Sequence, residues 1–391
     1  MRILHTSDWH LGKSLYDFPL IDDQQFIIEE IINIIALHKI DAVIIAGDIY
    51  DRPLPSGSAI QLYDFFLSRV VKDMGVPVIA IAGNHDSAGR LEFGSSLYMS
   101  SGYYIFGRNK KDVCPVKIPD SYGEVYFFPF PYLHPADIRV LLDNTNIKSY
   151  DDAYREIINY NTDFVDPAKR NIAVAHGFFS DLSGKDNTEV LTSDSEINIG
   201  GMDIANAAYF SDFDYTAIGH LHAPQWTMQG KIRYSGSPLK YSLSEEKHNK
   251  SATIVDVGQK GSLDFEIIPL AQIHDVRTLH GSFLQLCDPS YHSGSFSDYV
   301  FAEISGDTAV YPMEKLRLIF PNILGLSFVD NINKIQEVKL SDKIEHSSAE
   351  ELFGRFYREM KGEEPSEESL AMLREAIDSI HLDDLSTEEL L

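Results

Sequence analysis

A chain of 391 residues with 44% apolar side chains can build ordinary cores in two domains with extensions, which argues against global disorder. Its two cysteines, Cys114 and Cys287, have no neighbouring Cys and argue against a disulfide framework or a thiolate metal site. The net charge of −26 argues against a protein that grips nucleic acid unaided, because Lys and Arg contacts to phosphate supply most non-specific affinity.

The opening residues Met1-Arg2-Ile3-Leu4-His5-Thr6 run directly into a strand pattern and lack a signal peptide's apolar core. No window approaches about 18 consecutive apolar residues, so no membrane span is expected and the cytoplasm is the expected compartment. Ile3 to Thr6, Asp41 to Gly47, Val76 to Gly83, Val125 to Pro131, Ile172 to His176 and Tyr215 to Gly219 read as short buried strands rich in Ile, Val, Ala and Phe. Between the first two, Asp22 to His38 carries Phe26, Ile27, Ile31, Ile34 and Ile35 on a helix face, and Ala59 to Val71 reads as a second helix. The alternation predicts an α/β layered domain. Tyr103, Tyr104 and Phe106 read as core rather than as a base-stacking platform.

From Ser251 the pattern turns to strands, Ala252 to Val257 and Leu263 to Pro269. A second unit follows from Asp275 to about Asp330. In it Phe283 to Leu286, Val300 to Ile304 and Leu324 to Val329 read as strands and Met313 to Phe320 as a helix, with Pro and Gly as punctuation. Asn331 to Ser348 reads as a polar linker. Ala349 to Met360 and Ser366 to about Ile380 read as helices with apolar faces suited to a partner or to their own domain. Ser341 to Leu391 holds 15 acidic and 5 basic residues, so much of the negative charge sits in this tail.

The chemistry-bearing residues lie at strand ends. Strand one ends in Ser7-Asp8-Trp9-His10, strand two in Gly47-Asp48 and strand three in Gly83-Asn84-His85-Asp86. Later strands end in His176-Gly177 and Gly219-His220-Leu221-His222. Open α/β sheets build their sites beyond the carboxyl ends of strands, so this pattern gathers Asp, His and Asn from five segments around one point. Carboxylates and imidazoles suit Mn, Fe and Zn. Asp8 with His10, and His220 with His222, are spaced to reach one ion as the chain leaves a strand. The two oxygens of Asp48 can bridge a pair of ions roughly 3.5–4 Å apart, a pair that can hold a phosphate and generate hydroxide. His85 is placed to donate a proton to the leaving group. Each piece alone is common by chance; their order and their positions at strand ends are specific.

D-x-H, G-D, G-N-H-D, a lone H-G and G-H-x-H together resemble the signature of calcineurin-like metallophosphoesterases. The resemblance implies a layered β-sandwich flanked by helices. Asp8, His10, Asp48 and His222 would hold one ion, Asp48, Asn84, His176 and His220 the other, and His85 matches the catalytic histidine. Within that superfamily Ser7-Asp8-Trp9-His10-Leu11-Gly12, Gly83 to Ser87 with Arg90-Leu91, and Tyr234 to Ser242 with Glu245-Glu246 and Lys250-Ser251 are similar to blocks of the SbcD family of nuclease subunits. The resemblance is strong to about residue 270 and looser beyond.

That family implies two Mn ions, DNA as substrate, a homodimer within a heterotetramer with the coiled-coil ATPase SbcC, and exonuclease and hairpin endonuclease activity. It divides the chain into a phosphoesterase domain (1–270), a smaller α+β capping domain (271–330), a linker (331–348) and a helical SbcC-binding tail (349–391). It also eases the charge objection, since DNA affinity can reside in the ATPase and the dimer. Arg233 and Lys240 are candidates for DNA phosphate contact. One departure is Asp51, where archaeal and eukaryotic relatives often carry His. The alternatives are a protein phosphatase or small-molecule phosphoesterase on the same scaffold, since Gly47-Asp48-Ile49-Tyr50-Asp51-Arg52 resembles a phosphatase block that Pro53 breaks, and a catalytically silent scaffold.

Overall fold

Runs of β-branched and small apolar residues make the strands, and amphipathic segments between them make the covering helices. The computed structural model describes residues 1–162, 164–181, 191–193, 204–228, 230–306 and 310–329, with isolated positions 357, 365, 366, 369, 370 and 372. The chain divides into one unit, Met1–Val329, and a second, Asp330–Leu391. The predicted linker and, apart from those isolated positions, the predicted tail helices lie outside the described residues.

In chain order the first elements are β1 (Arg2–Thr6), α1 (Ile21–Leu37), β2 (Ala42–Ala46), α2 (Gly57–Leu67), β3 (Val78–Ile81) and β4 (Tyr103–Phe106). Next come β5 (Val116–Asp120), β6 (Gly123–Phe130), α3 (Pro135–Leu142), α4 (Tyr150–Thr162), β7 (Arg170–His176), β8 (Tyr215–Gly219), β9 (Gln225–Thr227) and β10 (Ile232–Tyr234). The strands β11 (Ser251–Val257) and β12 (Leu263–Pro269) then return to the first sheet. That sheet runs β12-β11-β1-β2-β3-β4, and the second runs β9-β10-β8-β7-β6-β5. The strands β1 to β4 are mutually parallel, as are β6, β7, β8 and β10. Register brings their carboxyl ends level: Thr6 lies beside Ile45, Ala46 beside Ile81, and His176 beside Gly219.

The two sheets pack face to face. Ile3, Ile44, Ile79 and Val255 of one meet Phe127, Ile172, Val174 and Tyr215 of the other in a fully buried layer. Because side chains alternate across a strand, Leu4, Val43, Ile45 and Ala80 point the other way, under Ile28, Ile31 and Ile35 of α1 and Phe66 of α2. On the far side Phe128, Phe130, Ala173 and Ala175 pack under Tyr154, Ile157 and Ile158 of α4. The result is the helix–sheet–sheet–helix layering expected from the sequence. The sheets are also tied at one corner. Arg170 is buried and forks onto Asp120 at 2.8 and 2.6 Å, and Asp120 also takes the N-terminal amine at 2.8 Å. The hydrogen bonds from Arg170 hold the Asp120 carboxyl well below the usual carboxylate range.

The second expected helix is interrupted: α2 ends at Leu67 and its continuation, Ser68–Asp73, is a π-turn. Beyond β12 lie β13 (Val276–Ser282), α5 (Phe283–Leu286), β14 (Tyr299–Ser305), α6 (Pro312–Arg317) and β15 (Ile323–Phe328), with the strands in a parallel sheet ordered β13-β14-β15. Leu279, Leu286, Val300, Ile304, Leu316, Phe320 and Ile323 give it its own small core. Here the sequence reading needs correction, because Phe283–Leu286 is a helix and the strand is the preceding segment. Ser282 Oγ accepts from Gln285 N and Gln285 Oε1 accepts from Ser282 N, a reciprocal cap that starts a helix at Phe283. Cys114 and Cys287 are free thiols. Among the described residues no helix is long and apolar enough to cross a membrane.

Candidate metal centre

The chain leaves its level strand ends through strained backbone. Asp8, His10, Asp48 and His220 all have positive φ (53°, 44°, 49° and 114°), which non-glycine residues rarely adopt. Each costs on the order of 1–3 kcal/mol, which the surrounding core and hydrogen bonds must offset. Asp8 N donates to Gly47 O at 3.0 Å, His10 N to Asp48 O at 3.0 Å, and His220 N to Asp8 Oδ1 at 2.9 Å. His85 N donates to Asp48 Oδ1 at 2.8 Å. Glycine is required where these loops touch. A Cβ on Gly47 would lie 2.1 Å from His176 Nδ1, and one on Gly83 would lie 2.1 Å from Asp48 Oδ1.

All seven residues read as ligands converge here. His10 Nε2 and His222 Nε2 are 3.1 Å apart, with Asp8 in the same group. His176 Nε2 lies 3.4 Å from Asp48 Oδ2 and 3.0 Å from Asn84 Oδ1, and His220 Nδ1 lies 3.1 Å from the same Asn84 oxygen. Asp48 Oδ2 is also 3.7 Å from His10 Nε2, so it lies between the two halves of the cluster.

The remaining ring atoms fix the tautomers. His176 Nδ1 donates to Ala46 O at 2.8 Å and His222 Nδ1 to Glu245 Oε1 at 2.8 Å, so when either ring is neutral its Nε2 lone pair faces the cluster. Burial lowers the pKa of His10, and burial with His176 lowers that of His220 to about 3, which keeps both imidazoles neutral. Burial also disfavours a charged His176, but Asp48 outweighs it and raises the pKa to about 9. A divalent cation held here would take the place of that proton on His176. The donor set of nitrogen and oxygen, without sulfur, suits a dinuclear centre of divalent ions.

The sequence profile of the calcineurin-like phosphoesterases matches residues 1–224. The chain is 30% identical over 371 residues to the SbcD subunit of the SbcCD nuclease from Staphylococcus saprophyticus, covering 93% of this chain and 94% of that one. It is 29% identical over 365 residues to the corresponding SbcCD nuclease subunit from Staphylococcus epidermidis, covering 92% and 93%. The chain belongs to the SbcD family of calcineurin-like phosphoesterases. Membership makes it a metal-dependent phosphoesterase.

His85 sits beside the cluster, half-buried, its ring edge-on to His10 at 4.8 Å between centroids. Its Nδ1 donates to Asp51 O at 2.9 Å, which leaves Nε2 as the ring nitrogen not tied to that carbonyl. The Asp51 side chain accepts from Lys13 at 2.8 Å and lies 3.7 Å from His10 Nδ1.

Two expectations are corrected. Arg233 is buried between the sheets, with Nε donating to Thr253 Oγ1 at 2.8 Å and the guanidinium 4.8 Å over Trp226, so it offers no surface to a phosphate. Lys240 is also buried, and its Nζ is engaged by Asp275 Oδ1 at 2.6 Å and Glu246 O at 2.5 Å, so it ties the 240–246 segment to the start of β13.

Three supporting residues went unassigned in the sequence reading. Asp86 accepts from Ile49 N, Tyr50 N and Gly83 N, each at 3.0 Å, and so clamps the loop of Asp48 to the loop of Asn84 and His85. Burial and the nearby Asp48 push its pKa up to about 7 against the pull of those N–H groups. Gln24, on α1, donates to His10 O at 2.8 Å and accepts from Gly12 N at 2.8 Å, bracing the first loop. Glu245 holds His222. Only the short sequence signal at Gly83-Asn84-His85-Asp86 hinted at the first of these.

Proposed function

We propose that this chain is the nuclease subunit of an SbcC–SbcD complex, hydrolysing DNA phosphodiester bonds at a pair of Mn ions. The observation that carries the reading is the convergence of Asp8, His10, Asp48, Asn84, His176, His220 and His222 in a chain that matches SbcD-type nucleases over 93% of its length. Asp8, His10, Asp48 and His222 would hold one ion and Asp48, Asn84, His176 and His220 the other. When bound, such a pair neutralises phosphate charge and acidifies water at neutral pH. The protein's own part is positional and acid–base. Asp48 fixes the backbone of His85, Asp51 O fixes its ring through Nδ1–H, and His85 acting as an imidazolium gives its Nε2 proton to the oxygen leaving phosphorus and is left neutral.

In this reading residues 271–330 form a capping domain that presents DNA to the site, and residues 349–391 bind the base of the SbcC coiled coil. The complex acts as an ATP-dependent double-strand exonuclease and as a single-strand and hairpin endonuclease in DNA repair, recombination and replication. A homodimer is supported by an apolar surface on the loop before α2, on α2 itself and on the segment after β3. Leu54, Ile60, Phe93 and Leu97 are exposed there, around a cavity of about 670 Å³ bordered by Tyr50, Leu54, Ile60 and Phe93. A patch of this kind marks a protein–protein contact. DNA affinity would then be shared with the partner, as the net charge of −26 demands.

The test compares a hairpin oligonucleotide, a nucleotide monoester and a phosphopeptide as substrates in Mn, with and without the coiled-coil ATPase. Cleavage of the hairpin, stimulated by the ATPase, is expected. Turnover of the monoester or phosphopeptide with no cleavage of DNA would replace this reading with that of a phosphatase.

A further inference from the structure

We propose that Glu245, held by Lys250, is the positioning residue that fixes His222 toward its metal ion. The proposal rests on the reading of His222 as a ligand. Glu245 is fully buried and both of its oxygens are engaged. Oε1 accepts from His222 Nδ1 at 2.8 Å and from Ser242 Oγ at 3.3 Å. Oε2 accepts from Lys250 Nζ at 2.5 Å and from Ser237 Oγ at 3.4 Å. Lys250 Nζ also donates to His222 O at 3.0 Å and to Ser237 Oγ at 2.8 Å. One buried cation therefore grips His222 twice, at its backbone directly and at its ring through a carboxylate.

The consequence is specific to one half of the centre. The ring proton of His222 stays on Nδ1, and the Nε2 lone pair stays aimed at the point shared with His10 and Asp8. In the other half the equivalent hold on His176 is the neutral carbonyl of Ala46. A carboxylate is the stronger acceptor and makes the imidazole a more basic ligand than a carbonyl does. The Glu245–Lys250 pair thus strengthens the ion beside Asp8, His10 and His222 and leaves the ion beside Asn84, His176 and His220 unchanged. The segment that carries Glu245 is itself pinned, because Glu246 Oε1 accepts from Thr278 N of β13 at 2.9 Å.

Full-length protein stripped of metal and titrated with Mn²⁺ by calorimetry tests this. Glu245→Gln combined with Lys250→Met removes both buried charges at similar volume, so no unpaired cation is left inside. Glu245→Asp is the second variant; it keeps the partner of Lys250 but draws the carboxylate back from His222. Either variant should show one of two Mn²⁺ sites weakened by about 10- to 100-fold, with the other at its wild-type affinity. Long-range ¹H–¹⁵N spectra of metal-free protein should lose the fixed Nδ1–H tautomer of His222. Unchanged affinity at both sites would overturn the proposal. So would equal weakening of both sites accompanied by a lower metal-free melting temperature, which would mark a merely structural pair. A wild-type protein that binds no Mn²⁺ would instead overturn the ligand reading beneath it.

Discussion

Replacing Gly83 by alanine adds one methyl group where the site has no room for it. The φ of Gly83 lies outside the left-handed region, so the backbone itself admits alanine and the effect is steric. The new Cβ would stand 2.1 Å from Asp48 Oδ1, 2.3 Å from Asp48 N and 2.7 Å from Asp48 Cγ, whereas ordinary contact begins at 3.4 Å. Either the Asp48 carboxylate or the loop of Asn84 and His85 must therefore retreat by about 1 Å. Overpacking of this kind costs about 1–3 kcal/mol of stability, which a buried sandwich of this size tolerates. A displacement of about 1 Å at a reacting centre costs about 10²-fold in rate. Circular dichroism should report a folded protein, while cleavage of a single-stranded oligonucleotide in Mn²⁺ falls by about 10²-fold or more. A Gly83→Ala protein that cleaves at the wild-type rate would refute the claim that Asp48 is held in place by contact with this glycine.

His85→Ala should reduce cleavage by about 10²–10⁴-fold while leaving Mn²⁺ stoichiometry intact, because His85 is the proposed proton donor and is not among the proposed ligands; wild-type cleavage by this variant would remove His85 from the mechanism. His5 gives a stability prediction. It is fully buried, its Nδ1 meets Tyr215 Oη at 2.8 Å, and burial followed by the charge of Arg233 lowers its pKa to about 3. Below about pH 6.5 the unfolded chain binds a proton here that the folded chain refuses down to about pH 3, so stability falls as pH drops through that window. Between pH 6.5 and 5 the loss from this residue is on the order of 2 kcal/mol, and urea unfolding of His5→Gln should show a shallower acid slope than wild type. Identical slopes for the two proteins would contradict the buried neutral state of His5.

What the sequence made legible was whatever is written locally. The donors stand at the carboxyl ends of β1, β2, β3, β7 and β8, directly after apolar runs, so the strand-end positions of Asp8, Asp48, Asn84, His176 and His220 are legible from local pattern alone. Side chains whose role depends on a distant partner were not legible. Glu245 lies 23 residues from His222 and Gln24 lies 14 from His10, and nothing in either stretch announces the contact. Arg233 looked available to DNA because positive charge is normally at the surface, yet the pairing of β10 with β8 turns it inward against Thr253 and Trp226. Phe283–Leu286 was misread as a strand because a short apolar run suits strand or helix alike, and the Ser282–Gln285 cap is what makes it a helix.

The most direct test is anomalous scattering from crystals of this protein soaked in Mn²⁺. Two peaks roughly 3.5–4 Å apart are expected, with Asp48 between them, His10 and His222 on one and His176 and His220 on the other. A map with no peak inside this ring of side chains, from crystals of protein that cleaves DNA, would contradict the account.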